Sequence, residues 1–237
     1  QVTKAVDRVS FAVQQGEFIG VMGASGSGKT TLLNLLSTID RVTAGHIYYG
    51  DTDITELGEE QLSEFRKKQL GFIFQEYNLL DTLTLEENIM LVMTLHRRGK
   101  KEIQKRCREL LRILGIEEVK DKYPYQVSGG QKQRCACARA LANYPALLLA
   151  DEPTGALDSL AAQTLLETFT EMNKNMGATI LMVTHDAFSA SYCSRILFLK
   201  DGRIFHELVR GEKERRAFLN EILDVMTLTG GERSHDV

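Results

Sequence analysis

The sequence predicts an α/β fold built around a mainly parallel sheet. Short apolar stretches with the pattern of buried strands alternate with helix-like stretches along most of its 237 residues, which is typical of layered α/β proteins. A segment rich in glycine and serine, 23–28, stands between one such strand and the next helix. Another apolar strand, 147–150, runs directly into two carboxylates, at the end where parallel sheets bind ligands.

The composition is that of an ordinary globular chain with no excess of basic residues. Lys and Arg number 29 against 32 Asp and Glu, a net charge of −3, which argues against a nucleic-acid partner bound through a basic face. No apolar run approaches the ~20 residues of a membrane-spanning helix, and we expect no signal peptide. Four irregularly spaced cysteines predict reduced thiols in a cytosolic protein.

Hydrophobic patterns define the elements in the first part of the chain. Residues 6–13 alternate between apolar and polar like an exposed strand, whereas 18–22 and 71–74 are continuous apolar runs typical of buried strands. Further elements predicted here are a strand at 45–49 and helices at 29–38 and 59–69.

The stretch of about 76–127 has a different texture, and we interpret it as a helical insert. Leu83, Leu91 and Leu95 recur at helical spacing, and a second helix precedes the turn at Gly115. Beyond this insert, strands and helices alternate again. The elements predicted there are strands at 147–150, 179–183 and 195–199, helices at 158–175 and 212–227, and a turn at 200–203.

Residues 23–30, GASGSGKT, fit the pattern G-x-x-x-x-G-K-[ST] without a mismatch and lie between a predicted strand and helix. Glycines let the backbone curl so that successive N–H groups point at anionic oxygens, and the start of the following helix adds partial positive charge. Lys29 is expected to reach the β- and γ-phosphates of a nucleotide, and the Thr30 hydroxyl to bind Mg²⁺. The alternative is a chance glycine-rich turn, against which the flanking strand and helix argue.

The carboxylate pair at the end of the strand 147–150 is a second candidate site. Asp151 suits the coordination shell of Mg²⁺, and Glu152 suits a general base that polarises an attacking water. Alone, two carboxylates after a strand are a weak indication. Together with the phosphate loop they predict a nucleoside triphosphatase.

Residues 127–134, VSGGQKQR, add a second anion-binding feature. Ser128 would cap a helix, and Gly129 and Gly130 expose backbone N–H groups at its start. A single lysine loop and two phosphate-seeking helix ends in one chain indicate that two copies hold each nucleotide between them. A plain Ser-Gly-Gly helix start is the alternative at this point.

With these motifs the sequence resembles the ATP-binding subunits of ABC transporters over nearly its whole length. Ser128-Gly129-Gly130-Gln131 matches the family signature, with Val127 where leucine is commoner. Gln75 matches the glutamine that senses Mg²⁺ and the attacking water, and His185 matches the switch histidine that contacts the γ-phosphate. Residues 156–158 match the loop that runs along the dimer interface.

The resemblance implies a P-loop NTPase fold with a RecA-like, mainly parallel sheet core, a small antiparallel β part and an inserted helical subdomain. Residues 1–75 and 128–210 would form the catalytic core, about 76–127 the helical subdomain and 211–237 a C-terminal helical tail, all within one ATP-binding domain. The implied catalytic residues are Glu152, His185 and Gln75, and the implied Mg²⁺ ligands are Thr30, Gln75 and Asp151. The residues implied to bind ATP are Gly23, Ala24, Ser25, Gly26, Ser27, Gly28, Lys29, Thr30, Thr31, Gln75, Asp151, Ser128, Gly129, Gly130, Gln131 and Asp158.

The family mechanism that the resemblance implies is a head-to-tail dimer closed around two ATP molecules, with the phosphate loop of one copy facing Ser128 and Gly130 of the other. The 52 residues between Gln75 and Ser128 would receive a coupling helix of an integral-membrane permease. This places the protein at the cytoplasmic face of the cell membrane. The family also stacks adenine on an upstream aromatic residue, and since no aromatic precedes Phe11, we expect it before residue 1.

Within the family the chain is similar to the macrolide-export, lipoprotein-release and cell-division ATPases, and above all to the bacitracin- and lantibiotic-resistance ATPases of Gram-positive bacteria. Residues 71–84, 121–124, 190–193 and 211–231 carry this finer similarity. It implies a permease for antimicrobial peptides, with a sensor kinase as a further candidate partner. Two alternatives stay open. One is a regulatory or signalling clamp with little net transport, and the other is an ABC ATPase acting on ribosomes or DNA, against which the single cassette argues.

Overall fold

A computed structural model describes residues 4–74, 77–96 and 98–230. In chain order its strands are β1 (Phe18–Met22), β2 (Tyr48–Tyr49), β3 (Thr52–Asp53), β4 (Leu70–Phe74), β5 (Leu147–Asp151), β6 (Ile180–Thr184), β7 (Arg195–Lys200) and β8 (Arg203–Val209). The main sheet has the order β4–β5–β6–β1–β7–β8, and only the β7–β8 pairing is antiparallel. Strands β2 and β3 form a separate antiparallel pair. The predicted parallel core and small antiparallel part are thus confirmed.

Helices cover the sheet and follow its strands in the predicted order. They are α1 (Lys29–Leu36), α2 (Glu59–Gln69), α3 (Leu85–Thr94), α4 (Lys100–Ile113), α5 (Gly129–Leu141), α6 (Ser159–Met176), α7 (Ala187–Ala190) and α8 (Arg215–Gly230). Over the described residues, no helix combines the length and the apolar character needed to cross a membrane.

Both faces of the sheet are buried, which explains the continuous apolar runs in its strands. On β1, Phe18 and Met22 join a large cluster with the side chains of α3 to α6, whereas Ile19 and Val21 face the opposite cluster beneath α1. The helices α3 and α4 belong to the same cluster as the core strands. The hydrophobic packing is therefore continuous across the boundaries of the segment 76–127. That this segment is a separate subdomain stays a prediction.

The strand predicted over 6–13 is wrong. Among the described residues this segment joins no strand ladder, and Arg8 has a φ of 54°, outside the extended region. Its apolar side chains, including Phe11 and Val13, are half-buried against the cluster beneath α1. The alternating pattern predicted correctly which side chains are half-buried. A strand, however, also requires a neighbouring segment with which its backbone can form hydrogen bonds, and this pattern does not indicate whether one is present. The strand predicted at 45–49 likewise shortens to Tyr48–Tyr49.

The C-terminal helix α8 packs on its own chain. Phe218 and Ile222 are fully buried within the large core cluster. At the start of α8, the guanidinium of Arg215 lies 5.1 Å from the ring centre of Phe188 and 4.5 Å from that of Tyr192. The tail thus covers the short helix α7.

Candidate active site

The motifs singled out in the sequence follow the carboxyl ends of neighbouring parallel strands. Met22 pairs with Thr184, and Asp151 pairs with both Phe74 and Val183. The phosphate loop, the carboxylate pair and the histidine therefore all leave the sheet at one edge, where α/β folds bind ligands.

Three glycines shape the phosphate loop, two because a larger residue would collide with backbone and one because of its backbone conformation. Gly28, with a φ of 104°, precedes the first residue of α1. A Cβ atom there would lie 2.2 Å from the backbone oxygen of Ala5, and one on Gly23 would lie 2.2 Å from that of Leu199. Gly26 also has a positive φ, 78°, which favours glycine. The loop is thus built against backbone from both ends of the chain, and the N–H of Gly202 donates to the oxygen of Ser27 at 3.0 Å.

Lys29 points back into the curl of this loop. It is buried, and its Nζ donates to the oxygens of Gly23 at 2.7 Å and Ala24 at 3.0 Å. Ser27 Oγ is buried without a hydrogen-bond partner among the described residues. An ammonium inside a ring of backbone and an unsatisfied hydroxyl are donors available to an anion. Thr30 is exposed in the first turn of α1. The loop therefore fits the phosphates of a nucleotide.

Asp151 and Glu152 form an electrostatically unfavourable pair. Burial, and then the neighbouring Glu152 carboxylate, raise the pKa of Asp151, whereas Lys29 opposes this rise. A cation beside Asp151 would relieve both effects. Among the described residues no cluster of three or more His, Cys, Asp or Glu side chains can hold a metal ion by itself. Thr30 and Asp151 are therefore suited to Mg²⁺ only together with phosphate oxygens.

We expect Asp151→Asn to raise the unfolding temperature of the nucleotide-free protein by about 2 °C or more at pH 7. A raised pKa means that ionised Asp151 destabilises the folded state. This penalty is full above the folded-state pKa and vanishes as pH falls towards 3.8, the ordinary value. Thermal unfolding of wild type, Asp151→Asn and the exposed control Asp224→Asn between pH 4 and 7 tests this. If the difference in unfolding temperature between wild type and Asp151→Asn did not become smaller as the pH is lowered, the destabilising effect of ionised Asp151 would be contradicted.

Glu152 and His185 meet directly, although 33 residues separate them. Glu152 has a φ of 43°, uncommon for a residue other than glycine, and its N–H donates to the oxygen of Val183 at 2.9 Å. This turn brings the carboxylate beside β6. His185 Nδ1 lies 2.8 Å from Glu152 Oε1, and the His185 N–H donates to Oε2 at 3.3 Å. Two of the three residues implied to be catalytic thus lie in contact.

The signature residues form a capped and exposed helix start. Ser128 Oγ accepts from the Gln131 N–H at 3.3 Å, and Gln131 Oε1 accepts from the Ser128 N–H at 3.0 Å. A Cβ atom on Gly130 would meet nothing within 4 Å. In the described part of the chain, residues 128–131 form no hydrogen bond with residues 23–31. The start of this helix is therefore accessible at Ser128 and Gly129, and no hydrogen bond in the described part of the chain ties it to its own phosphate loop.

The remaining predicted site residues stand as follows. Asp158 is exposed, and its carboxylate caps α6 by accepting from the Ala161 N–H at 2.8 Å. Thr31 is half-buried in α1, and Ala24 and Ser25 are exposed in the phosphate loop. Gln75 lies outside the described residues, and its roles stay predictions.

Two residues of α5 contact the site without having been singled out in the sequence. Gln133 is buried, and its Nε2 donates to the oxygen of Pro153, directly after Glu152, at 3.2 Å. Arg139 donates to the backbone oxygens of Tyr77, at 2.8 Å, and Asn78, and burial lowers the pKa of its guanidinium. Arg139 lies three helical turns after Ser128, a spacing that already places it on the same side of the helix.

Comparison with known proteins shows the family. Residues 6–155 match the family model described as ABC transporter. The chain belongs to the ABC transporter family. It is an ATP-binding, ATP-hydrolysing subunit, and the resemblance predicted from the motifs is confirmed. Its fold is that of an ABC ATPase cassette.

Relatives of this ABC protein include export ATPases. It is 49% identical over 231 residues, 98% of this chain and 90% of the relative, to the bacitracin export ATP-binding protein BceA of Halalkalibacterium halodurans. It is 42% identical to the lipoprotein-releasing system ATP-binding protein LolD of Porphyromonas gingivalis, over 87% of this chain and 93% of the relative. The dimeric ATP-binding cassette MJ0796 of Methanocaldococcus jannaschii, solved with ADP and phosphate after hydrolysis, is 38% identical, with a TM-score of 0.77 over 88% of this chain and 92% of that one.

Proposed function

We propose that two copies of this chain close head to tail around two ATP molecules, and that this closure drives an integral-membrane permease for antimicrobial peptides. The start of α5 carries the proposal, because Ser128 and Gly129 are exposed there and a Cβ atom on Gly130 would meet nothing within 4 Å, so that a second chain can reach this anion-binding helix end.

The chemistry assigned to the site is displacement at the γ-phosphate by water. Thr30 and Asp151 would hold Mg²⁺, which when bound neutralises phosphate charge. Lys29 leaves its loop oxygens to contact the β- and γ-phosphates. Glu152 orients the attacking water and accepts its proton, and His185 keeps the carboxylate in place through the 2.8 Å contact. Ser128 and Gly130 of the partner copy would complete the phosphate shell.

A mixing experiment tests the head-to-tail arrangement. Lys29→Ala damages a copy's own phosphate loop, whereas Ser128→Glu damages the site that it shares with its twin. Each variant alone is expected to be inactive. Their mixture contains heterodimers with one intact site, and we expect phosphate release up to about a quarter of the wild-type rate from random pairing.

The matched control for this mixture is Lys29→Ala combined with the double variant Lys29→Ala/Ser128→Glu, in which no intact pair of half-sites can form. A first mixture that is as inactive as this control would contradict the shared site.

The permease and peptide substrate are supported by the relatives and by the helical insert. BceA is named as an export protein for bacitracin, and a structure 27% identical with a TM-score of 0.83 is described as part of an ABC transporter complex. The helices α3 and α4 of the insert would receive the permease, which would hold the chain at the cytoplasmic face of the membrane. A sensor kinase is a further candidate partner.

A cell-based assay separates transport from the second candidate, a signalling clamp. The wild type and Glu152→Gln are expressed with the permease in cells whose resistance genes are transcribed constitutively. Export predicts that Glu152→Gln abolishes protection against bacitracin even there. Protection that persists would favour a clamp that acts by switching genes on.

A further inference from the structure

Ser189 lies in α7, the short helix after His185, and it is fully buried. Its hydroxyl donates to Asp186 Oδ2 at 2.6 Å, and its N–H donates to the same oxygen at 2.9 Å. The Ser189 and Thr154 hydroxyl oxygens lie 3.0 Å apart. Since Ser189 has a single hydroxyl proton and gives it to the carboxylate, Thr154 is the donor in this contact. The direction of the chain is therefore from Thr154 through Ser189 to Asp186.

These hydrogen bonds join the two segments that carry the catalytic candidates. Thr154 follows Glu152 by two residues on the loop after β5, and Asp186 follows His185 directly at the end of β6. The same loop is held from its other side by Gln133, which donates to the oxygen of Pro153. The backbone beneath Glu152 is thus fixed between α5 and α7.

The buried bridge lies beneath an exposed one. The direct contact between Glu152 and His185 involves side chains that are 23% and 69% exposed, so water competes for it. Thr154 and Ser189 are 9% and 0% exposed, where hydrogen bonds are stronger and an unmade one costs more. The buried pair is therefore the firmer of the two links.

We propose that Ser189 is a positioning residue for ATP hydrolysis. Through Thr154 and Asp186 it fixes the loop of Glu152 relative to the helix after His185, so that the imidazole holds the carboxylate where it can orient the attacking water. This inference rests on the roles proposed above for Glu152 and His185. Ser189 itself is fully buried, so it would act through Thr154 and Asp186 rather than on the nucleotide directly.

The test compares turnover and ATP affinity in variants that remove or keep one hydroxyl. Ser189→Ala and Thr154→Val are each expected to lower kcat about tenfold while KM for ATP changes less than about twofold. Thr154→Ser, which keeps the hydroxyl, should stay within about twofold of the wild type. The double variant Thr154→Val/Ser189→Ala should be no slower than either single variant, because one shared contact is lost only once.

Ser191→Ala is the matched control. Ser191 is equally buried two residues further along, but its hydroxyl donates to the oxygen of Phe188 at 2.6 Å, accepts from Arg215 at 3.3 Å and lies off the path to Thr154. The inference is overturned if Ser189→Ala keeps kcat within twofold of wild type, if Ser191→Ala loses as much, or if the two single losses multiply in the double variant. Thermal unfolding identifies any variant that is unfolded at the assay temperature. If a Ser189 variant is unfolded, the test is the comparison of kcat between Thr154→Val, which removes the hydroxyl, and Thr154→Ser, which keeps it.

Glu152→Gln and His185→Ala in the same assay separate this inference from the proposed site. If both keep near-normal turnover, the assigned catalytic roles fail. If both lose turnover while Ser189→Ala does not, only the positioning role fails.

Discussion

Glu152→Gln is expected to lower ATP turnover by about 10²–10⁴ while leaving ATP binding intact. The amide keeps the size of the side chain at a backbone position with a φ of 43°, but it cannot accept a proton from water. Bound ATP is then not consumed, and the closed homodimer should accumulate. Phosphate release gives the turnover, and size-exclusion chromatography with and without ATP gives the dimer fraction.

The control for this variant is Glu171→Gln, which changes an exposed carboxylate on α6. It should leave both turnover and oligomeric state unchanged. Near-normal turnover in Glu152→Gln would remove the general base from the mechanism, and a monomer in saturating ATP would remove the closed dimer.

Lys29→Ala is expected to weaken ATP binding itself by about 10- to 100-fold, the loss that follows from removing a hydrogen-bond donor that is charged. The side chain is only 8% exposed, and its Nζ already lies within the phosphate loop. Without this ammonium, the phosphates would meet the oxygens of Gly23 and Ala24 with no cation between them. Titration calorimetry with ATP measures the dissociation constant directly.

Lys174→Ala, an exposed lysine on α6, is the control for lost positive charge as such. An unchanged dissociation constant in Lys29→Ala would contradict the phosphate-loop assignment. If ATP binding were weakened equally in both variants, the effect of Lys29→Ala would be explained by the loss of one positive charge rather than by a contact with the phosphates.

The buried strands were the most predictable part of the fold. The apolar run at 147–150 extends by one residue in β5, and the run at 179–183 shifts by one in β6, because both faces of these strands are covered. Strand β8, Arg203–Val209, escaped prediction. It lies at the sheet edge and most of its side chains are exposed, and its apolar residues form neither the continuous run of a buried strand nor a regular alternation.

The phosphate loop could be predicted from residue spacing because the contacts of its lysine are with residues close to it in the sequence. Lys29 must follow the glycines at a fixed distance to return to the oxygens of Gly23 and Ala24. The contact between Glu152 and His185 could not be derived from local pattern, since it depends on β5 and β6 being neighbours in the sheet. The hydrogen bond between Thr154 and Ser189 also depends on β5 and β6 being neighbours. It could not be predicted from the sequence, because a threonine and a serine there form no recognisable motif.

The nucleotide cradle also has a bearing on how this protein is made. Its turns press against the backbone of Ala5 and Leu199, and the Ser27 oxygen is held by the N–H of Gly202. During synthesis, the lysine and glycines of the phosphate loop are therefore added long before Leu199 and Gly202, whose backbone the loop contacts. The phosphate-binding loop therefore takes its final shape late in synthesis, once Leu199 and Gly202 have been added.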